Sequence, residues 1–332
     1  MADKHIRWGI LGCGGIAQMF MSSIQPVANT SVVACAARNH KNAQAFANEH
    51  GIKTAYASYA DLISADDLDA IYVANTHNAH YATAKACLEA GKPVLCEKPL
   101  TVNTAQSKAL FELAKKHNVL LVEAVWTRFL PAIIALQEQL SKGIIGDVLS
   151  VNVNFSITGE FDPKHRLNNP ETAGGSLLDL GIYPITMADI VFDAEPINIQ
   201  SQVSKGPTGV DQRAQFLVEY PNEKHAMLSC AFVQHAPIVA IISGTDGYIE
   251  VPHFLGAREL IVQRAGRVEQ LNFEYPEGHN FTPEITQFNA DLSDGNIHST
   301  ILPPNKTMRV MKIMDTLREQ WQLRYPEDIE SV

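Results

Sequence analysis

Through the first 125 residues, short apolar runs alternate with longer amphipathic stretches. The runs 7–11, 31–37, 69–74, 93–96 and 119–122 are apolar enough to predict buried strands. The stretches between them, one ending near residue 24 and others over 39–50, 77–90 and 103–117, read as helices. Gly51 and Gly91 stand just past two of those helices, where a left-handed residue commonly stops a helix. Regular alternation of strand and helix predicts a parallel, doubly wound sheet with right-handed crossovers.

After residue 125 the pattern changes. Residues 131–142 read as a helix ended near Gly143, and 148–156 as a strand with alternating Val151, Val153 and Phe155. A polar loop over 159–174 leads into an apolar helix over 175–192. Strand candidates then follow at 197–203, 213–220, 224–233, 238–243, 247–251, 260–263 and 268–273. Turn-forming pairs such as Pro221-Asn222 and Asp246-Gly247 join them, which predicts an antiparallel sheet. Helices at 282–292 and 306–323 close the chain. The expected division is a first domain over 1–125 and a second over 126–332, in the α/β class.

With 46% hydrophobic residues, the 332-residue chain has ample material for two domains. A net charge of −10 without a basic block disfavours loose binding to nucleic acid or to an anionic membrane. No stretch reads as a bilayer-spanning helix, and the N-terminus runs into a strand with no signal-peptide pattern. The five cysteines, at 13, 35, 87, 96 and 230, have no C-x-x-C spacing, so neither a zinc site nor a disulfide framework is expected. A cytoplasmic protein without a metal is the expectation.

Candidate chemistry sits at the strand ends. Gly12-Cys13-Gly14-Gly15-Ile16-Ala17 follows the first strand and opens a helix, which matches the dinucleotide-binding fingerprint in its required context. Gly12 permits the tight turn, Gly14 lets backbone approach a pyrophosphate, and Ala17 allows close helix–strand packing. The helix start favours the phosphate charge. At the end of the second strand, Ala36-Ala37-Arg38-Asn39 holds no carboxylate for a ribose hydroxyl. Arg38 there argues for a 2′-phosphate, hence NADP rather than NAD. Glu97-Lys98-Pro99 ends another strand, at the sheet edge where ligands of such domains bind.

The fingerprint, the Glu97-Lys98-Pro99 triplet and the stretch from Ala173 through Asp179 to Tyr183-Pro184 together resemble the Gfo/Idh/MocA oxidoreductase family across nearly the whole chain. Residues 123–131 and the aspartate-to-tyrosine helix are most similar to the branch holding the dimeric dihydrodiol dehydrogenases and NADP-dependent D-xylose 1-dehydrogenases. The resemblance implies an N-terminal Rossmann domain and a C-terminal α/β domain. The latter's open, mostly antiparallel sheet would form a homodimer interface. It implies that Lys98 is the active-site lysine, that Glu97 shapes the cofactor pocket, and that Tyr183 is the acid/base. Asn75, Thr76, His77, Asn78 and His80 match the loop along the cofactor. Trp126, Arg128 and Phe155 match positions lining the nicotinamide and substrate cleft. It further implies a cis Lys98–Pro99 peptide. One departure is Ala173, where related sequences begin a three-glycine run.

The chemistry of the residues agrees with that resemblance. Asp179 and Tyr183 are four apart and share one helix face. Oxidising an alcohol needs a base for the hydroxyl proton, and a free phenol with a pKa of about 10 is too weak. A nearby lysine ammonium is expected to lower it and to polarise the reacting oxygen. Asp179 is expected to hold a substrate hydroxyl or to orient Lys98. The expected function is NADP-dependent hydride transfer with a sugar or a cyclic vicinal diol. The alternatives are a non-catalytic NADP-binding sensor and a keto-sugar reductase. His77 and His80 lack further ligands at metal-binding spacing, and His165 reads as a solvated loop histidine.

Overall fold

The computed structural model describes residues 5–328 except 160, 161, 163 and 277. Parts of the expected first and last segments, 1–4 and 329–332, lie outside the described residues, as do three positions of the 159–174 loop.

Strands β1 (Ile6–Leu11), β2 (Thr30–Ala36), β3 (Thr54–Tyr56), β4 (Ala70–Val73), β5 (Val94–Glu97) and β6 (Leu121–Ala124) form one sheet. All its pairs are parallel, in the order β3-β2-β1-β4-β5-β6. Its central strands are buried along nearly their whole length, which is why they read as unbroken apolar runs. The strand order reverses between β1 and β4, so a crevice opens at their carboxyl ends. Helices α1 (Gly15–Ile24), α2 (His40–His50), α3 (Tyr59–Ile63), α4 (His77–Glu89) and α5 (Thr104–His117) connect the strands. Gly51 caps α2 in the left-handed region, as its position predicts. β3 and α3 have no counterpart in the sequence reading, because three and five residues are too short to display a period.

The second sheet holds β7 (Val148–Ser156), β8 (Asn198–Lys205), β9 (Asp211–Tyr220), β10 (Lys224–Ala231), β11 (Val239–Gly244), β12 (Gly247–Pro252), β13 (Glu259–Arg264) and β14 (Arg267–Asn272). The order is β14-β13-β12-β11-β7-β10-β9-β8. The β7–β10 pair is parallel and the other pairs are antiparallel. Four more helices are α6 (Pro131–Ser141), α7 (Ile182–Phe192), α8 (Thr282–Ser293) and α9 (Pro304–Gln320). The inner face of the second sheet packs on α7, which is buried from Ile182 to Ile190 and has no polar stripe.

Two expectations need correction. The single helix read over 175–192 is a π-helical turn, Leu177–Gly181, followed by α7. The helical run Pro170–Phe192 is also long and apolar enough to cross a membrane by length and composition, with mean hydropathy 1.3. Its apolar window is 89% buried inside the protein, which accounts for that composition as core.

One face of the first sheet closes its own core with α3, α4 and α5, but the other face shares a core with the second sheet. Helix α8 returns to the first sheet, where Phe288 meets Trp8 with ring centroids 4.8 Å apart. Trp8 also packs edge-on against Phe20, which stacks on Tyr72 at 4.1 Å. One connected hydrophobic cluster runs from these residues to the interior of the second sheet.

Candidate active site

Gly12 ends β1 with φ +107°, a conformation that L side chains rarely adopt. A Cβ there would also lie 2.6 Å from the Ala74 carbonyl oxygen at the end of β4. Gly14 and Gly15 differ, since Cβ atoms on them would meet nothing within 4 Å. They are small because they border open space. The start of α1 has no side-chain cap and no acid in its first turn, so its amides remain available to an anion.

That space is a cavity of about 650 Å³ at the carboxyl ends of β1, β2, β4 and β5. It is lined by Gly12, Gly14, Gly15 and Ile16 on one side and by Asn75, Thr76, His77, Asn78 and His80 on another. Ala17 is fully buried behind the turn, packed in the core. Exposed Arg38 lies at one end with Asn39 and Asn42, where no carboxylate lines the wall. Glu97, Lys98 and Asp179 also line it. The residues present therefore fit a dinucleotide with a phosphate near Arg38: free helix amides, backbone without side chains, and a guanidinium in place of an acid.

Lys98 and Asp179 form the centre of the charged groups. Lys98 Nζ donates to the Asp179 carbonyl oxygen at 2.6 Å and to Asp179 Oδ1 at 3.3 Å. It also sits 5.0 Å from the centre of the Tyr183 ring. Asp179 accepts from Arg166 as well, at 3.1 and 3.4 Å, and His77 Nε2 lies 3.6 Å from Oδ1. Burial alone would raise the Asp179 pKa, but Lys98, Arg166 and His77 outweigh it and hold the carboxyl well below the usual range. The Lys98–Pro99 peptide is cis. Buried Glu97 accepts from Tyr72 at 2.5 Å and from the Lys98 amide at 3.2 Å, and burial raises its pKa.

The two histidines are neutral supports. Burial lowers the His77 pKa to about 3 and the His80 pKa to about 4. His77 Nδ1 is 3.1 Å from the Ala173 carbonyl, and His80 Nδ1 is 2.7 Å from the Pro99 carbonyl. They tie the loop after β4 to the segment before the π turn and to the segment after Lys98. Ala173 adopts φ +50°, which explains why glycine suits that position.

Beside the cavity stands an aromatic cluster. Trp126 Nε1 donates to the Tyr183 hydroxyl at 3.0 Å. Phe155 meets the Tyr183 ring edge-on at 5.7 Å, and Phe281 lies 5.7 Å from Trp126. The Tyr183 pKa is not lowered. Burial and then the Glu97 charge push it well above 10, and Lys98 lies over the ring. Arg128 does not reach the cavity either. It is buried and pairs with Asp189 at 2.5 Å, which Arg309 also holds at 2.6 Å. Its partner on α7 makes it a link between helices.

Arg166 is a cavity residue that the sequence does not single out. It lines the cavity with a 47% exposed side chain and holds Asp179 through two nitrogens. His165 instead accepts from the Leu167 amide at 3.3 Å within the loop. Tyr59, from the unforeseen α3, also borders the cavity near Arg38.

A profile described as "Oxidoreductase family, NAD-binding Rossmann fold" matches residues 6–124, and a GFO/IDH/MocA C-terminal domain profile matches 133–250. A trans-1,2-dihydrobenzene-1,2-diol dehydrogenase from Mus musculus is 32% identical over 333 residues, covering 97% of this chain and 99% of that protein. Its counterpart from Xenopus laevis is 33% identical, covering 96% and 99%. A 3-ketoreductase from Actinomadura kijaniata, solved with NADP and TDP-benzene, superposes with TM-score 0.84 at 25% identity, covering 95% and 97% of the two chains. An aldose-aldose oxidoreductase from Caulobacter crescentus, solved with glycerol, shares the fold with TM-score 0.87 at 20% identity, covering 96% and 98%.

Proposed function

Since the chain belongs to the GFO/IDH/MocA oxidoreductase family, we propose that it is an NADP-dependent dehydrogenase of a small sugar or cyclic vicinal diol. The observation that carries this reading is the meeting of Lys98 and Asp179 in the cavity, with Tyr183 packed beside them, across the sheet from the β2 end that Arg38 marks. When bound, NADP carries the hydride. Arg38 pairs with the 2′-phosphate, and the amides at the start of α1 hold the pyrophosphate. His77 and Asn78 line the path toward Lys98.

Lys98 has three donors and directs two of them to Asp179, which leaves one for the reacting oxygen. Tyr183 exchanges the proton of that oxygen. Asp179 fixes Lys98 and Arg166 and accepts from a substrate hydroxyl. Trp126 and Phe155 offer apolar faces to a ring, in keeping with a diol or the face of a pyranose. Residues 1–125 serve the cofactor, and residues 126–332 serve substrate and dimerisation.

A second reading, reduction of a keto-sugar, is favoured by one feature. Burial keeps the Tyr183 phenol neutral, the state required of a general acid. The Actinomadura relative is itself described as a 3-ketoreductase.

The test is a spectrophotometric screen with NADP and NADPH against aldoses, cyclic diols and keto-sugars, on the native protein, Lys98→Ala and Tyr183→Phe. The expected result is turnover that falls roughly 100-fold or more in Lys98→Ala, with NADP binding retained. Tyr183→Phe is expected to lose roughly 100-fold. Full activity in Lys98→Ala overturns the assignment.

A further inference from the structure

The shortest bond from the Lys98 ammonium goes to a backbone carbonyl, that of Asp179 at 2.6 Å, and not to a carboxylate. Carbonyls inside a helix normally face an amide of the next turn. Asp179 lies within the π turn Leu177–Gly181, where Ile182 N–H donates to the Leu177 oxygen five residues back. Carried on to Asp179, that five-residue register would give its carbonyl the amide of residue 184, and residue 184 is proline, which has no N–H. Proline in a regular α-helix also clashes with the carbonyl four residues earlier, a crowding that a widened turn relieves.

We propose that Pro184 is a positioning residue: it withholds an amide from the Asp179 carbonyl and so reserves that oxygen for the Lys98 ammonium. The π turn and the proline act as one device. Together they turn a main-chain acceptor outward at the cavity's inner end and fix Lys98 over the Tyr183 ring. This rests on the reading of Lys98 as the group that meets the reacting oxygen.

The test uses the full chain with Pro184→Ala, which supplies the missing amide. Lysine is 13C-labelled, and the Lys98 Cε resonance is identified by its loss in Lys98→Arg. The expected result is a displaced Lys98 Cε resonance, a residue-184 amide protected from hydrogen exchange, and thermal stability equal to or above the native protein's. Turnover falls roughly 10- to 100-fold while KM for NADP stays within about two-fold. A purely structural proline would instead lower thermal stability and leave the Lys98 resonance in place. An unmoved resonance with an unprotected amide overturns the proposal.

Should Pro184→Ala not fold, the Asp179 carbonyl 13C shift is compared between native protein and Lys98→Met. A carbonyl whose donor is Lys98 moves, and an unmoved shift overturns the proposal. Both resonance measurements stand without turnover. An inactive native protein therefore counts against the oxidoreductase reading, and a negative resonance result counts against the role of Pro184.

Discussion

Arg38 and Lys98 line one cavity, and their single substitutions are expected to separate binding from chemistry. Losing a charge-assisted contact costs about 1.5–3 kcal/mol, so Arg38→Ala is expected to raise KM for NADP roughly 10- to 100-fold. KM for NAD is expected to change little, which steady-state kinetics with both nucleotides would check. An equal loss for both nucleotides would rule out a phosphate contact.

His77 makes a second prediction at this scale, in stability against pH. Its folded pKa, about 3, lies below the unfolded value near 6.5. The unfolded chain therefore binds the proton more readily, and stability falls as pH drops from about 6.5 toward 3. His77→Gln is expected to flatten that acid limb by up to about 1.4 kcal/mol per pH unit. Asp211, whose pKa burial raises to about 6, has the opposite sign: its contribution is present below the unfolded pKa and is lost as pH rises through 6. The slopes of native protein and His77→Gln, taken from denaturation across pH 4–7, isolate the histidine.

Among the elements, the β1–α1 turn tolerates no side chain at Gly12. Gly12→Ala would combine a left-handed φ with a Cβ only 2.6 Å from the Ala74 oxygen. It is expected to cost about 2 kcal/mol or more by chemical denaturation and to abolish NADP binding by calorimetry. Gly15→Ala meets no protein atom, so it is expected to leave stability nearly unchanged while weakening NADP binding. The buried parallel strands were legible because burial on both faces leaves unbroken apolar runs. The π turn was not, because 177–192 is apolar nearly all round and an inserted residue has no polar stripe to throw out of phase. Gly12, Arg38, Glu97 and Lys98 were legible because strand ends fix where they must lie. Arg128 was assigned to the cleft because the resemblance says nothing of its partner Asp189 on α7. Arg166 was missed because a polar loop carries no periodicity to aim its side chains.

For the whole molecule, the outer face of the second sheet bears on assembly. Residues Gln200, Leu217, Met227, Asn152, Ile241, Glu250, Ile261 and Gln270 lie side by side across it, in register. Leu217 and Met227 are 38% and 48% exposed at the apolar part of that row, a composition that suits a contact between two copies. We propose that the homodimer forms there. Leu217→Glu combined with Met227→Glu is expected to halve the mass found by light scattering without changing the circular dichroism spectrum. An unchanged mass would place the interface elsewhere.

Trp8 carries a consequence for anyone who treats the nucleotide-binding half as a transplantable module. Its ring is fully buried, and part of the cover is Phe288, from a helix near the far end of the chain. Residues 1–125 expressed alone would uncover the part of Trp8 that Phe288 shields and leave that apolar patch prone to aggregate. A graft of cofactor preference from this protein into another must therefore carry α8 with it, or supply a replacement lid of the same shape.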